Sequence, residues 1–593
     1  MRCGADTGGT FTDLVADDGR IVKVLSTPAD PSRAVADGLT ALSATPPAVL
    51  AHGTTVATNA LLERRGARVA LVTNAGFADV MEIGRQDRPS LYDIWADRPA
   101  PLVPRELRLE VGGRLDAAGV ELAPVDPASI PSIPAGVEAV AITLLHSDLN
   151  AAHEQAVAAA LRGAVDVTCS HEVAREFREY ERTVTTVVNA YLRPRCRMYL
   201  RSLVGLAGDV LVMTSAGGLI PAEEGAELAV ALLLSGPAGG VIAGAAAARE
   251  AGYASAVTFD MGGTSTDVCL VQGGVPEPAP GRIAAGFPIR RPSLDIHTIG
   301  AGGGSIARLD SGGALVVGPT SAGADPGPAC YGRGGREPTV TDADLLLGRI
   351  PADAALPGLG RLDWDAAAEA VAGGGLTPEG IVAVVDANME QAVRRVTVAR
   401  GVDPAELALV AFGGAGPLHA CAIADALGMR AVVVPPRAGV LSAVGLLAAP
   451  RQRDLVRSWP TPSDHSGLGS ALDALGAEAR GAVGGVGGVV AEVVTAVDCR
   501  YAGQSHELTV PSVDDFPAEH ARRNGYARAG APVEVVAIRA TARVAPPPTA
   551  FEPVERQPAV GPAVLVEPDC TVWVPGGWRA EITADASWVL TRI

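Results

Sequence analysis

Two octets in this 593-residue chain carry the residue types that phosphate chemistry uses: Asp6-Thr-Gly8-Gly9-Thr10-Phe-Thr12-Asp13 and Asp260-Met-Gly262-Gly263-Thr264-Ser-Thr266-Asp267. They are identical at six of eight positions. Each octet lies among apolar residues, which predicts two strands joined by a tight turn. In such a turn Gly-Gly supplies left-handed backbone angles and removes the side chains that would keep a phosphate from the backbone N–H groups. An aspartate at the strand end suits a hydrated Mg²⁺, which keeps several waters and takes few carboxylates. One Gly-Gly-Thr is common in plain hairpins, but its repetition implies a duplicated unit.

Lys23 is the only lysine. A P-loop and a protein kinase each need a lysine in a context that Lys23 lacks, and no other amine is available for a Schiff base. Arginine stays protonated and cannot replace it as a nucleophile. A triphosphate is therefore expected to be held by backbone amides, hydroxyls, Mg²⁺ and arginine. Two such hairpins, one per lobe, resemble the phosphate-1 and phosphate-2 loops of the superfold shared by actin, hexokinase and the heat-shock chaperone ATPases. A third element follows: the apolar run Ala408 to Phe412 leads into Gly413-Gly414-Ala-Gly416-Pro and a helix. In that superfold such a turn packs against adenosine. A strand-to-helix turn with no ligand is the alternative.

Composition bounds the rest. The apolar fraction of 48% over this length supports several cores and three or four domains. A formal charge of −18 argues against nucleic acid as the partner. Eight cysteines, at 3, 169, 196, 269, 330, 421, 499 and 570, show no metal-knuckle or disulfide spacing and are expected as small core residues in a reducing cytoplasm. With the first octet at Asp6 no leader peptide is expected. The most apolar stretch, Leu228 to Ala248, is broken by Ser235-Gly-Pro-Ala-Gly-Gly240, so no membrane span is expected.

Strands that must position these turns alternate with helical runs, the pattern of an α/β protein. The expected organisation is a first lobe over 1–180, a second ATPase lobe over 181–455 and a C-terminal α+β domain over 456–593. Within the first lobe, strands are expected at Val69 to Val72 and Val137 to Leu145, with an inserted hairpin turning at Asp116 to Gly119. A polar helix from Val173 to Leu203 is expected to bridge the lobes. The Pro-containing stretch Trp459 to Ser470 is expected as a linker.

Further motifs extend the match along nearly the whole chain: His52-Gly-Thr54-Thr55-Val-Ala-Thr-Asn59, Arg178-Glu-Tyr-Glu-Arg182-Thr, Ser235-Gly-Pro-Ala-Gly-Gly, Thr298-Ile-Gly-Ala-Gly-Gly-Gly-Ser305, Phe412 to His419 and Asp498-Cys-Arg-Tyr-Ala-Gly-Gln504. Together with the octets they resemble the A-type subunit of the hydantoinase/oxoprolinase family. The resemblance implies an ATP-dependent enzyme that phosphorylates the carbonyl oxygen of a cyclic amide (a hydantoin, 5-oxoproline or a lactam), beside a B-type partner subunit and as an oligomer. It assigns Asp6 and Asp260 to Mg²⁺ and water, Gly8, Gly9, Thr10, Thr12, Gly262, Gly263 and Thr264 to the phosphates, and Gly413, Gly414 and Gly416 to adenosine. Asp13 and Asp267 are expected to fix the hairpins by hydrogen bonding.

For the substrate, His52, Thr54, Thr55 and Asn59 gather polar groups in a loop before a helix. Helix capping by a threonine, and a satisfied core histidine, are the competing explanations. His146 follows a strand, where α/β sites collect, and is the candidate general acid or base. Arg182, with Glu179, Glu181 and Asn189, lies on the bridging helix, as a site group or on a solvated charged face. Asp295 and His297 lack a third metal ligand. Two departures from the family pattern are Thr7, usually apolar, and Ala216, where many relatives carry an amide. Other functions remain open: a subunit of an ATP-dependent ketone carboxylase, a non-catalytic ATPase that remodels a partner, and a sugar kinase.

Overall fold

The computed structural model describes residues 1–27, 30–356, 360–484, 491–549 and 551–593. It is a mixed α/β protein in which two large mixed sheets present the octets. The first sheet orders ten strands: Leu508–Val510, Glu492–Tyr501, Val533–Val544, Arg451–Ser458, Leu219–Pro221, Asp209–Met213, Val49–Thr54, Arg2–Thr7, Phe11–Ala16 and Ile21–Leu25. The second runs Val275–Pro276, Thr266–Gln272, Ala256–Met261, Ala408–Phe412, Ala431–Val434, Trp588–Arg592, Trp578–Ile582 and Ala559–Val560, with Ile296–Ile299 paired to Thr266–Gln272.

Both sheets repeat one local unit. Arg2–Thr7 returns antiparallel as Phe11–Ala16 with Asp6 opposite Asp13, and Ala256–Met261 returns as Thr266–Gln272 with Asp260 opposite Asp267. On its other side Arg2–Thr7 lies parallel to Val49–Thr54, as Ala256–Met261 lies parallel to Ala408–Phe412. Each of those parallel neighbours runs into a helix, Val56–Leu62 and Gly416–Leu427. The Gly-Gly turn after Phe412 is thus the second-sheet counterpart of the Thr54-Thr55 turn.

A separate four-stranded sheet, Asp166–Cys169, Ala139–Thr143, Val69–Asn74 and Arg108–Val111, is parallel throughout. Its two central strands are buried at every position, as a parallel sheet covered on both faces requires. The hairpin expected near Asp116 forms, with the Asp116 carboxylate accepting from Ala118 N and Val120 N. The bridging helix, Glu179–Leu203, differs from expectation in character, because residues 182–193 are buried throughout and Arg182 and Arg193 pair with Asp148 and Asp166 inside the protein. All eight cysteines are buried and unbridged. Among the described residues no helix is long and apolar enough to cross a membrane.

The C-terminal region packs a core of its own around Leu475, Phe516, Val535 and Ile538, but most of its strands extend the two large sheets. Glu492–Tyr501, Leu508–Val510 and Val533–Val544 prolong the first sheet through Arg451–Ser458, while Trp578–Ile582 and Trp588–Arg592 continue the second. The expected division at 455/456 is therefore one of sequence and not of sheets. A buried ion network ties the same region to the lobes. Glu176 holds Arg290 (2.8 Å) and Arg539 (3.5 Å), Glu507 holds Arg178 and Arg290 (2.6 Å each), and Asp498 holds Arg539. Removing one partner of such a buried pair costs about 3–5 kcal/mol, because the other charge is left uncompensated.

The two large sheets meet where helix Gly236–Glu250, packed on the second, crosses helix Leu441–Ala448, packed on the first. Small residues let their backbones touch: a Cβ on Gly445 would lie 1.8 Å from Gly239 O, and one on Gly239 would lie 2.6 Å from Ser442 O. Gly445→Ala is therefore expected to destabilise the chain by about 1–3 kcal/mol through overpacking. Urea denaturation measures it, and an unchanged midpoint would contradict the close approach.

Candidate active site

The two turns close in the same way, with Gly8 N donating to Phe11 O (3.0 Å) and Gly262 N to Ser265 O (3.1 Å). None of Gly8, Gly9, Gly262 and Gly263 has a left-handed φ, so the expected left-handed backbone angles are corrected. A Cβ on Gly263 would lie 2.9 Å from Thr10 Oγ1, and one on Gly9 would lie 3.7 Å from Thr264. The turns thus face each other, each glycine pair against the other's threonine. Ser26 braces the first turn through Ser26 N to Thr10 O and Ser26 Oγ to Gly8 O (3.0 and 2.8 Å). The Gly-rich loop 300–304 braces the second through Gly303 N to Gly262 O and Gly304 N to Gly263 O (3.0 and 2.7 Å). A Cβ on Gly302 would meet Thr264 N at 2.7 Å.

Four carboxylates gather behind these turns. Burial, then the charge of Asp13, pushes Asp6 up to about 7. Burial, then the charges of Asp267 and Asp6, pushes Asp260 up to about 8. Asp267 rises to about 6 through burial, against the hydrogen bond from Thr298 Oγ1. Burial also raises Asp13, against Lys23, whose Nζ lies 2.6 Å away. The only lysine is thus committed to a hairpin carboxylate. Asp6 and Asp260 repel one another across the lobes, so the proton affinities belong to the cluster. Such a set would be relieved by a divalent cation, and its hard oxygen donors fit Mg²⁺. Glycines flank both aspartates: a Cβ on Gly53 would lie 2.7 Å from Asp6 Oδ1, and one on Gly413 (φ +79°) would lie 2.4 Å from Asp260 Oδ1. Ser442 Oγ donates to Asp260 Oδ2 at 3.3 Å.

The remaining candidates divide. Thr55 Oγ1 reaches Thr7 O at 3.5 Å and receives Asn59 Nδ2 at 3.4 Å, so Thr55 and Asn59 stay beside the first turn. Thr54 Oγ1 accepts from Val56 N, the first residue of the helix. Gly414 faces open space and Gly416 starts the following helix. Thr12 is buried and its hydroxyl is used by Ser26 (3.1 Å), so it braces the turn and does not face a phosphate.

His52 and Arg182 are also corrected. His52 is fully buried; Nδ1–H donates to Ala5 O (2.9 Å) and Nε2 accepts from Tyr199 OH (2.7 Å), with burial pushing its pKa down to about 4. It is a neutral core histidine. Arg182, also buried, donates to Asp148 (2.7 Å), Glu176 O and Leu144 O, and so fixes the turn that carries His146. Asn189 bridges Glu227 O and Val230 N. Asp295 pairs with Arg400, which leaves no ligand set with His297.

His146 lies half-buried after strand Ala139–Thr143 on the four-stranded sheet, with φ +60°, a backbone state rare outside glycine. Among the described residues its ring has no hydrogen-bond or ion-pair partner. His419, in the run that follows the Gly-Gly turn, is buried between Asp386 (2.7 Å) and Asp344 (3.1 Å). Burial opposes its charge, but the two aspartates prevail and raise it to about 10.

The fold and the paired turns define a mixed α/β chain whose two large sheets each carry a Gly-Gly-Thr turn. The hydantoinase/oxoprolinase N-terminal region matches residues 2–165, and the hydantoinase/oxoprolinase pattern matches residues 182–454. The chain belongs to the hydantoinase/oxoprolinase family. It is similar to caprolactamase subunit alpha of Pseudomonas jessenii, with 35% identity over 100% of this chain and 99% of that one. The acetophenone carboxylase gamma subunit of Aromatoleum aromaticum is 35% identical over 74% of this chain and 66% of its own length. The 5-oxoprolinase 1 of Arabidopsis thaliana is also 35% identical, over 75% of this chain and 41% of that protein. The crystal structure of the ATP-dependent caprolactamase from Pseudomonas jessenii superposes with a TM-score of 0.85 at 34% identity, covering both chains completely.

The carboxylate cluster predicts an unusual pH response. With folded values of about 7 and about 8 against an ordinary 3.8, the folded chain holds protons that the unfolded chain has lost. Stability contributed by these groups is full below 3.8 and falls as pH rises through about 8. Thermal unfolding should show a shallower loss between pH 5 and pH 8 in Asp260→Asn than in the wild type, and Mg²⁺ should raise the wild-type Tm more at pH 8 than at pH 5. Identical pH profiles for the two proteins would contradict the cluster.

Proposed function

We propose that this chain is the ATP-using subunit of a cyclic amidase, with a lactam-type ring as substrate and a B-type subunit as partner. The observation that carries it is the face-to-face pair of Gly-Gly-Thr turns over the Asp6 and Asp260 carboxylates. Full-length similarity to a caprolactamase subunit supports the substrate class. The repeated strand–turn–strand units support the duplicated actin-, hexokinase- and chaperone-like ATPase architecture. Asp6 and Asp260 would hold Mg²⁺ through its waters. When bound, the ion neutralises charge on the phosphates.

An amide resists water because its nitrogen donates into the carbonyl. Transfer of the γ-phosphoryl to the carbonyl oxygen forms an O–P bond, breaks the bond to the β-phosphate and releases ADP. The resulting imidate carbon accepts water, the ring C–N bond breaks as nitrogen takes a proton, and a second water attacks the acyl carbon, breaking its bond to the former carbonyl oxygen, which leaves with the phosphate. Overall, one cyclic amide, one ATP and two waters give an amino acid, ADP and phosphate. The protein's contribution to phosphoryl transfer is positioning and charge neutralisation. Backbone N–H groups of Gly9 and Thr10, and of Gly263 and Thr264, receive the phosphates from opposite lobes, while those of Gly8 and Gly262 close the turns. Gly413 and Gly414 leave room for adenosine, and Thr55 and Asn59 border the first turn on the acceptor side. His146 serves the later proton transfers.

A ketone carboxylase subunit would share the phosphorylation step and differ in acceptor; the acetophenone carboxylase gamma subunit keeps that function in view. The test is ATP hydrolysis with Mg²⁺ across hydantoin, 5-oxoproline, caprolactam, acetone and acetophenone, with and without a B-type protein. Stimulation by a cyclic amide with ring-opened product is expected. Stimulation by ketones alone would overturn the proposal. Asp260→Asn should abolish turnover while the chain stays folded, whereas His146→Ala should lower amide-stimulated turnover by about 10²-fold and leave basal hydrolysis less affected.

A further inference from the structure

Away from the facing turns, the second lobe contains an open cavity of about 380 Å³, within the size range of small-molecule sites. Helix Pro378–Val396 supplies one wall with Glu379, Val382, Ala383 and Asp386, a spacing that puts all four on one face. Leu347 and Arg349 supply the opposite wall, and Trp573, from strand Thr571–Val574, completes it. The lining is therefore an apolar body with a guanidinium and two carboxylates.

The charges do not cancel. Asp386 and Asp344 share the His419 imidazolium, and Arg349 lies 3.6 Å from Asp344. Glu379 is exposed and, among the described residues, has no ionic or hydrogen-bond partner. One carboxylate therefore remains for an incoming cation. Arg349 spends one nitrogen on Leu418 O (3.3 Å), which leaves the rest of its fork for a carboxylate.

Two of the lining residues are tied to the supports of the nucleotide-type loops, Asp386 to His419 and Arg349 to Asp344 and Leu418 O. His419 stands on helix Gly416–Leu427, which opens from the Gly413–Gly416 turn. Helix Val340–Leu346 carries Asp344 and, one turn earlier, Thr341, whose N and Oγ1 both donate to Gly303 O (2.7 and 2.8 Å). Gly303 N in turn holds Gly262 O. A ligand that drew Glu379 and Arg349 together would load the helices on which both the Gly-Gly turn and the second phosphate turn rest.

We propose that this cavity binds a zwitterionic amino acid, ammonium to Glu379 and carboxylate to Arg349 with its apolar body on Trp573, and that its occupancy changes nucleotide affinity. The choice of an ω-amino acid as probe rests on the ring-opening function proposed above, whose product has that chemistry. The site would be read by product, as a feedback device distinct from the turns.

Titration calorimetry of the full chain with 6-aminohexanoate tests it, with glutamate as a second zwitterion and hexylamine and hexanoate as single-charge controls. The zwitterion should bind about tenfold more tightly than either control, and Glu379→Gln and Ala383→Trp should each weaken it about tenfold. Both positions are exposed, so both variants should fold and bind a non-hydrolysable ATP analogue like the wild type. Bound zwitterion should shift that analogue's Kd by about fivefold or more in the wild type and in neither variant. Zwitterion binding that neither variant weakens, or no binding of either zwitterion, overturns the proposal whether or not a cyclic amide stimulates ATP hydrolysis. Binding that follows the variants upholds it even where no cyclic amide stimulates.

Discussion

The close approach of two identical turns governs this molecule. Gly263 lies against Thr10 and Gly9 against Thr264, with no room for a side chain at Gly263. That approach gathers the Asp6 and Asp260 carboxylates in a buried space where they repel one another. Charge repulsion of this kind is unfavourable in the isolated chain and is favourable for binding, because a cation and a polyphosphate would replace it with paired charge. Much of the surrounding structure holds the turns in place against that repulsion. Ser26 and the loop 300–304 brace them from behind, and Lys23 offsets Asp13.

The constraint propagates outward. Bringing the turns together requires the lobes to meet at a fixed distance, which the backbone contact between Gly239 and Gly445 sets. A helix pair in such contact leaves little freedom for the two sheets to move apart. The C-terminal strands, threaded into both sheets, and the ion network of Glu176, Arg290, Glu507 and Arg539 limit that motion from the other side. Charged groups buried in that network are matched in number, which keeps their burial tolerable.

The local elements were legible in the sequence. Both hairpins, the Gly-Gly turn into a helix, the parallel strands at Val69 and Ala139 and the hairpin at Asp116 follow from spacing, apolar runs and turn residues. What was not legible depends on partners distant in the chain. His52 looks like a site residue until Tyr199 and Ala5 take both its nitrogens, and Arg182 until Asp148 and Leu144 take its fork. Thr12 likewise needs Ser26 to explain it. The turn glycines do not take the left-handed angles expected of them, and the approach of Gly263 to Thr10 depends on a partner that leaves no trace in a local window. The pairing of C-terminal strands with both lobes was hidden for the same cause. Ser442, which meets Asp260, lies in a run of small apolar residues with no signal of its own.

The chemistry proposed for this arrangement places a covalent bond between the substrate's carbonyl oxygen and the γ-phosphorus, and isotope tracing follows that bond directly. The chain, with its partner and the cyclic amide that stimulates its ATP hydrolysis, would be supplied with substrate labelled with ¹⁸O at the carbonyl, and the released phosphate analysed by mass spectrometry. Transfer to the carbonyl oxygen followed by attack of water on the acyl carbon predicts one ¹⁸O atom in each phosphate released. Unlabelled phosphate, with the label retained in the ring-opened product, would contradict it.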